Sequence, residues 1–210
     1  MPIEPFRMVS GRAVPFLRDN VDTDVVIRIE RLAELARDEL GLFAFEALRY
    51  LPDGTPDPDC AFNQAAYQGA PILIAGENFG CGSSREGAVW AIQGLGIRTV
   101  IAPSFGPIFR NNCFENGVLP VELPKRDVET LAEIAKADPS APITVDLDRC
   151  VVVPPNGTPV AFAIDRLKRD ALLAGLDSLG LTLKRGAEIE AFQRADREAR
   201  PWIYRGLAGQ

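Results

Sequence analysis

The sequence predicts an α/β protein that is built around a parallel sheet with flanking helices. Three apolar runs, at 71–75, 98–102 and 118–123, alternate with two segments of helical apolar spacing, at 83–94 and 108–115. This alternation is typical of parallel strands joined by crossover helices. Shorter apolar runs toward the C-terminus indicate additional strands, so the sheet core is predicted to be mixed or parallel.

The N-terminal third is predicted to contain one strand and two helices. Residues 6–17 have the pattern of a strand around Gly11. Apolar residues recur at helical spacing over 29–50, where Gly41 is expected to divide two helices. A single helical turn is expected near 63–67.

An acidic turn, with Asp19, Asp22 and Asp24, precedes the first of these helices. Three carboxylates so close together suggest a calcium loop, but an EF-hand would need glycine and glutamate where Val25 and Arg31 stand. We therefore interpret Asp19 and Asp22 as turn residues whose side chains cap neighbouring backbone.

The C-terminal third begins with a polar helix over 127–137. Three short strands then follow, at 143–147, 150–153 and 160–164. A hairpin turn at 154–158 joins the last two strands.

Asp165 is positioned to cap a further helix, which Gly175 ends. Residues 176–183 are expected to form a loop, and a charged helix is expected over 187–200.

Length and composition are those of one globular domain. The 210 residues are predicted to form a core at 1–165 and a C-terminal helical extension of the same domain at 166–210. A net charge of −6 argues against a nucleic-acid surface. No apolar run reaches membrane-spanning length and no signal segment is evident, so a cytoplasmic protein without membrane contact is expected.

The chain contains no histidine, which excludes Ser-His-Asp and Cys-His catalysis and every histidine-ligated metal site. Its four cysteines are far apart, without a Cys-x-x-Cys pair, so neither a disulfide framework nor a metal site made by this chain alone is expected.

The segment GENFGCGSSRE, at 76–86, carries the strongest functional signal. It joins an apolar strand to a helix and combines three glycines with Ser83, Ser84 and Arg85. Arginine at a helix start is disfavoured by about 0.3–1 kcal/mol unless an anion is present. The segment thus predicts a carboxylate or phosphate site. Alternatively, Ser83 and Glu86 form a simple capping box.

Two other nucleotide-binding patterns do not fit this segment. A dinucleotide fingerprint needs a third glycine or alanine near Arg85 and an acidic residue after the next strand, where the sequence continues Ala102-Pro103-Ser104. A P-loop would need Gly-Lys followed by a hydroxyl residue. Cys81, without a partner base, is interpreted as a small packed side chain rather than a reactive thiol.

The sequence resembles the small subunits of 3-isopropylmalate dehydratases, a family of the aconitase superfamily. The resemblance covers nearly the whole chain and is carried by the segments GENFGCGSSRE (76–86), IAPSF (101–105), NNCF (111–114), NG (116–117), NVDTD (20–24), YLPDGT (50–55), GLD (175–177) and GLTL (180–183).

The resemblance implies the swivelling β/β/α domain of aconitase. It also implies a separate large subunit, as a heterodimer or a higher heteromer, which holds a [4Fe–4S] cluster on its own cysteines. The implied reaction dehydrates and rehydrates a small hydroxy diacid through an alkene, and thereby moves a hydroxyl between neighbouring carbons.

Individual roles follow from the resemblance at matching positions. Ser83 matches the serine that takes the proton from carbon as an alkoxide. Ser84 and Arg85 match groups that hold a substrate carboxylate, while Thr23 and Asp24 match an acidic motif that lines the same cleft.

Two positions depart from the family pattern: the chain has Gly87 where histidine is usual, and Arg28 where proline is usual. These departures leave two alternatives open. One is a paralogue that acts on another small 2-hydroxy diacid, such as 2-methylmalate or citraconate. The other is a partner subunit without catalytic activity.

Overall fold

The computed structural model describes residues 3–82, 85–155 and 157–204. Their strands form two four-stranded sheets, with the bounds β1 Met8–Gly11, β2 Ala13–Phe16, β3 Ile72–Ala75, β4 Thr99–Ala102, β5 Leu119–Glu122, β6 Ile143–Asp146, β7 Val151–Val153 and β8 Val160–Ala161.

Helices connect and cover these strands. The α-helices are α1 Thr23–Val26, α2 Ile29–Glu34, α3 Glu46–Arg49, α4 Glu86–Gly94, α5 Pro107–Glu115, α6 Lys125–Ala137, α7 Arg166–Ala174, α8 Ser178–Leu183 and α9 Gly186–Ala199. Shorter 3-10 helices occupy Arg37–Phe43, Ala61–Asn63 and Ala65–Tyr67.

The parallel sheet has the sequential order β2-β3-β4-β5, and Ala13, Ile72, Thr99 and Leu119 stand in register across it. The antiparallel sheet has the order β1-β6-β7-β8. The predicted α/β class is therefore confirmed, with the parallel and antiparallel strands in separate sheets rather than in one.

Both faces of the parallel sheet are buried, which explains why its strands are continuous apolar runs. Ile72 and Ile74 belong to a cluster that includes α6 and the antiparallel sheet. Leu73 and Ala75 belong to a second cluster, which includes α4 and α5. Alternation along one strand thus supplies both halves of the core.

The single strand predicted for residues 6–17 is wrong, because the chain changes sheets at Arg12. A Cβ at Gly11 would lie 2.8 Å from the Pro71 ring, so a glycine permits this close passage. The Arg12 guanidinium then donates to the carbonyl oxygens of Ala66 and Gln68, at 3.1 and 2.7 Å.

Two other expectations also fail. Gly41 does not divide two helices but lies inside the 3-10 helix at Arg37–Phe43, where a Cβ would come within 2.4 Å of the Gly94 backbone. The loop expected at 176–183 contains α8, whose first turn is capped by the Asp177 carboxylate accepting from the Gly180 N–H at 2.6 Å.

Local signals elsewhere are confirmed. Asp165 caps α7 by accepting from the N–H groups of Leu167 and Lys168, and Gly175 ends the helix at φ 65°. The Leu172 side chain on α7 is buried. The Leu172 carbonyl oxygen accepts from the Phe6 N–H at 2.9 Å, which ties α7 to the N-terminal segment.

Replacing Gly175 with alanine should destabilise the chain more than replacing Gly54. Both glycines have positive φ, so each change costs about 1–2 kcal/mol of backbone strain. Only at Gly175 would the new Cβ also meet a backbone atom, the Ile3 carbonyl oxygen at 2.5 Å; at Gly54 nothing lies within 4 Å. Urea unfolding of the two variants measures the difference, and equal losses would contradict this packing.

Candidate active site

The loops that follow β2, β3 and β4 meet at one edge of the parallel sheet. The loop at 76–82 extends the strand pairing beyond β3: the Gly80 N–H donates to the Val21 carbonyl oxygen at 2.7 Å, and the Phe79 N–H donates to the Ser104 carbonyl oxygen at 3.1 Å. Ligands of open α/β sheets bind outside this carboxyl end of the strands.

Glycines shape this loop through contacts with the protein itself. Gly80 has φ 73°, and a Cβ there would lie 2.2 Å from the Phe109 ring. At Gly76 a Cβ would lie 2.4 Å from the Arg18 backbone. Gly82, with φ 86°, is exposed, and a Cβ there would lie 3.2 Å from Asp22 Cβ, a tight but not overlapping contact. Of the three glycines, Gly82 is therefore the least enclosed by the protein.

The acidic turn packs directly against this loop and forms α1. The Thr23 N–H donates to the Cys81 carbonyl oxygen at 3.1 Å. Asp22 caps α1 by accepting from the Val25 N–H at 2.8 Å. The capping role inferred for Asp22 is confirmed. Two residues further along the chain, the Asp24 carboxylate reaches the Arg85 guanidinium that follows the loop.

Asp19 also caps backbone, as predicted. Its carboxylate accepts from the Glu77 N–H at 2.7 Å, which fixes the start of the loop at 76–82.

Arg85 and Asp24 form an ion pair between Nη1 and Oδ1. The arginine side chain is 19% exposed and the aspartate side chain 51% exposed, so the pair is open to solvent on the carboxylate side. An arginine at a helix start is expected to need a neighbouring anion, and here that anion is the Asp24 carboxylate of the same chain.

Thr23 is only 1% exposed, so its side chain is not part of the solvent-facing surface beside the pair. Ser83 and Ser84 lie outside the described residues, and their roles stay predictions.

The helix after the loop starts later than predicted. Arg85 is the N-cap of α4 and Glu86 its first residue, whereas a capping box would put Glu86 in the third helical position. The Glu86 carboxylate instead accepts from Asn116 Nδ2 at 2.8 Å. The sequence alone indicates Asn116 only as part of the segment NG at 116–117, because its contacts are remote in sequence.

Gly87 lies in the first turn of α4 and is buried. A Cβ at this position would lie 2.3 Å from Leu32 Cδ2, so the leucine of α2 occupies the space that a side chain at residue 87 would need. Arg28, the other departure, is the N-cap of α2 and pairs with Glu30 at 3.6 Å.

The described residues contain no group of three or more histidine, cysteine, aspartate or glutamate side chains that could hold a metal ion. Cys113 is buried, and burial raises the pKa of its thiol far above the ordinary value. Burial likewise raises the pKa of Cys60. The cysteines of the described chain therefore do not fit an iron–sulfur cluster, which needs thiolate ligands close together. In the same part of the chain, no helix is long and apolar enough to cross a membrane.

Comparison with known proteins identifies the class of this domain. The sequence model of the aconitase C-terminal domain matches residues 3–126, and a second model, LeuD_N, matches residues 129–166. A crystal structure of 3-isopropylmalate dehydratase from Methanocaldococcus jannaschii superposes with a TM-score of 0.65 at 28% identity, covering 88% of this chain and 99% of that one.

Relatives with known names define the family more narrowly. The 3-isopropylmalate dehydratase small subunit of Paramagnetospirillum magneticum is 46% identical over 201 residues, which are 96% of this chain and 100% of the relative. That of Cupriavidus necator is 49% identical over 205 residues, covering 96% and 99%. The chain belongs to the family of 3-isopropylmalate dehydratase small subunits, which are hydro-lyase components of the aconitase superfamily.

Gly87→Ala should be less favourable than the same change at Gly186 by about 1–2 kcal/mol, because the half-buried Leu32 side chain must turn away from the new methyl group. Gly186→Ala is the matched control: it also lies at the start of a helix, but nothing approaches its Cβ. There the same change should be neutral or stabilising by up to about 1 kcal/mol.

Thermal unfolding of the two variants measures the contrast. Leu32→Ala should cost less in the Gly87→Ala background than in the wild type, because it relieves the overlap. Additive effects of the two substitutions would contradict the contact.

Proposed function

We propose that this chain is the small subunit of a heteromeric hydro-lyase that interconverts 2-isopropylmalate and 3-isopropylmalate by dehydration and rehydration, a step of leucine biosynthesis. The observation that carries the proposal is the 46–49% identity to 3-isopropylmalate dehydratase small subunits over 96% of the chain. The Arg85–Asp24 pair at the carboxyl end of the parallel sheet, which follows Ser83 and Ser84 in the sequence, is its proposed site.

Arg85 is proposed to hold one carboxylate of the substrate. The guanidinium has five N–H donors in a planar fork, and within the described residues Asp24 is its hydrogen-bond partner through Nη1 alone. Donors beyond that one can bind a carboxylate in a bidentate manner. Asp24 then orients the fork, and the bound substrate shares the cation with it.

In the proposal, Thr23 supports this binding surface from the protein interior and Ser84 belongs to it. The buried Thr23 supports the start of α1 through its backbone contact with Cys81, and Ser84 adds a hydroxyl next to Arg85 in the sequence. Thr23 therefore acts on the substrate through Asp24, its neighbour.

Ser83 is proposed to take the proton from the substrate carbon. A serine hydroxyl is a very weak acid in water, so its anion needs strong local stabilisation. Its sequence position, between Gly82 and the N-cap of α4, is near the positive end of a helix dipole and near a guanidinium. This is the electrostatic support that an alkoxide requires in a chain without histidine.

The proton balance follows from that role. Ser83 Oγ removes a proton from carbon, the C–H electron pair becomes the second bond of the alkene, and hydroxide leaves the neighbouring carbon. In rehydration, a water molecule gives one proton to the released hydroxide and adds its own hydroxide to the other carbon, while Ser83 returns the carbon-bound proton and becomes the alkoxide again.

The partner in this proposal is a large subunit that carries a [4Fe–4S] cluster. Such a cluster supplies Lewis acidity for the departing hydroxyl when it is bound. The absence of a fitting ligand set in the described residues supports a split site, with the cluster on the partner and the base on this chain. We further propose that the reaction is cytoplasmic, and that residues 166–210 extend the same domain as residues 1–165.

Ser83→Ala should lower the kcat of the assembled enzyme by about 100-fold or more, because general-base catalysis is lost. Co-purification with the large subunit should be unaffected. Ser140→Ala, the same chemical change at an exposed turn, is the control and should leave kcat within about twofold.

The chain without its partner should show no turnover. Near-normal kcat in the Ser83→Ala enzyme would contradict the role of Ser83 as the base, and turnover by the purified chain alone would exclude the split site.

Arg85→Lys should raise KM for 2-isopropylmalate by about tenfold or more, because a bidentate fork becomes a point charge. Arg98→Lys is the matched control: Arg98 pairs with Glu4 at 2.9 Å and precedes β4, at the opposite end of the strands. An unchanged KM in Arg85→Lys would mean that Arg85 does not bind the substrate carboxylate.

The same assay separates the candidate substrates. The assembled enzyme is supplied with 2-isopropylmalate, 2-methylmalate and citrate in parallel, and the proposal expects the highest kcat/KM with 2-isopropylmalate. Binding without turnover of any of them would favour a partner subunit that lacks catalysis.

A further inference from the structure

Asn116 joins the end of α5 to the start of α4 through a buried amide. It is the C-cap of α5 and only 7% exposed. Its Nδ2 donates to Glu86 Oε1 at 2.8 Å and to the Asn112 carbonyl oxygen at 2.9 Å. Its Oδ1 accepts from Arg37 Nη2 and from Trp90 Nε1, both at 2.9 Å. Two donated and two accepted bonds satisfy an asparagine side chain completely.

Glu86 depends on this bond for its position. The glutamate is exposed, on the wall of a groove of about 920 Å³, so close packing does not hold its side chain. Asn116, by contrast, is fixed by four partners. The carboxylate therefore anchors the first residue of α4 to a rigid point on a neighbouring helix.

Arg85 directly precedes that anchored residue. Its backbone is extended, with φ −122° and ψ 113°, so the helical hydrogen-bond ladder does not determine where its side chain points. On the other side of the same turn, Leu32 packs against Gly87. The direction of the guanidinium thus depends on how firmly the first turn of α4 is held.

We propose that Glu86 and Asn116 are positioning residues, whose hydrogen bond aims the Arg85 guanidinium at the substrate carboxylate. This inference rests on the carboxylate-binding role proposed above for Arg85. A carboxylate held equally in the ground state and in the transition state affects KM rather than kcat. Loosening the turn should therefore raise KM while kcat changes little.

The first test uses two substitutions of Glu86 in the enzyme assembled with its large subunit. Glu86→Ala removes the acceptor and should raise KM for 2-isopropylmalate by about tenfold, with kcat within about threefold. Glu86→Gln keeps an oxygen that can accept from Asn116, so its KM should stay within about threefold of the wild type. An equal KM increase in both variants would mean that the carboxylate charge, not the hydrogen bond, is required, and would overturn the proposal.

The second test exchanges the donor and the acceptor of the hydrogen bond between residues 86 and 116. Asn116→Asp faces Glu86 with another carboxylate and removes the donor, so KM should rise by about tenfold or more. Adding Glu86→Gln supplies a donor from the other side and should recover most of that increase. Failure of the second substitution to recover KM, in a folded and assembled enzyme, would overturn the proposal.

A stability control separates positioning from loss of fold. Thr99→Val removes a buried hydrogen bond to the Leu119 carbonyl oxygen, 2.7 Å long, at the amino end of the parallel sheet. It should lower Tm without changing KM. If Glu86→Ala behaved in the same way, the pair would be structural only and the proposal would be wrong.

The Arg85→Lys enzyme shows whether a negative result concerns the positioning pair or the carboxylate site. A raised KM in Arg85→Lys together with an unchanged KM in Glu86→Ala rejects the positioning pair alone. An unchanged KM in Arg85→Lys rejects the carboxylate site itself.

Discussion

The candidate site depends on hydrogen bonds that continue parallel pairing beyond the ends of the strands. The loop at 76–82 is bonded on one side to Val21 and on the other to Ser104. Such bonds fix the backbone of a segment that would otherwise be a flexible loop. They require close passage of the chain at Gly80, where any side chain would overlap the Phe109 ring.

This framework determines which charges meet. Because Thr23 is bonded to Cys81, the short helix α1 lies beside the loop, and Asp24 reaches Arg85. The guanidinium at the start of α4 would be unfavourable alone, since the helix dipole is positive there. An acidic neighbour offsets that cost and leaves a cation that is still accessible. In the proposed function, one carboxylate of the diacid substrate binds this same guanidinium.

In the proposed function, a chain without histidine takes part in removing a proton from carbon. A hydro-lyase needs a base for the carbon-bound proton and a Lewis acid for the hydroxyl, and these groups need not be on one chain. The described residues place the Arg85 guanidinium beside the Asp24 carboxylate. In the proposed function, this chain supplies the carboxylate site and the base, and the large subunit supplies the cluster.

The departures from the family pattern are accommodated in different ways. Gly87 is matched within the chain, since Leu32 occupies the vacated space and draws α2 onto α4. Arg28 is not matched in that way, because its side chain is about half exposed and pairs only loosely with Glu30. The first departure therefore affects the packing at the start of α4, and the second affects the charge of the exposed surface at the start of α2.

The sequence by itself determined the features that depend on neighbours along the chain. Asp165 and Gly175 bound α7, and the apolar run of β3 is a buried parallel strand, because caps, breakers and periodicity act within a few residues. The motif at 76–86 predicts an anion-binding corner from its residue types alone, and this stays a prediction.

Only the tertiary structure decided which distant groups approach one another. In the sequence Gly41 suggests a helix end, but in the structure it allows the chain to pass close to the Gly94 backbone. Glu86 suggests a helix cap, but its carboxylate accepts a hydrogen bond from Asn116, thirty residues away. The exchange of sheets at Arg12 and the pairing of Arg85 with Asp24 have the same origin. These features follow from packing and long-range hydrogen bonds, which local propensity does not encode.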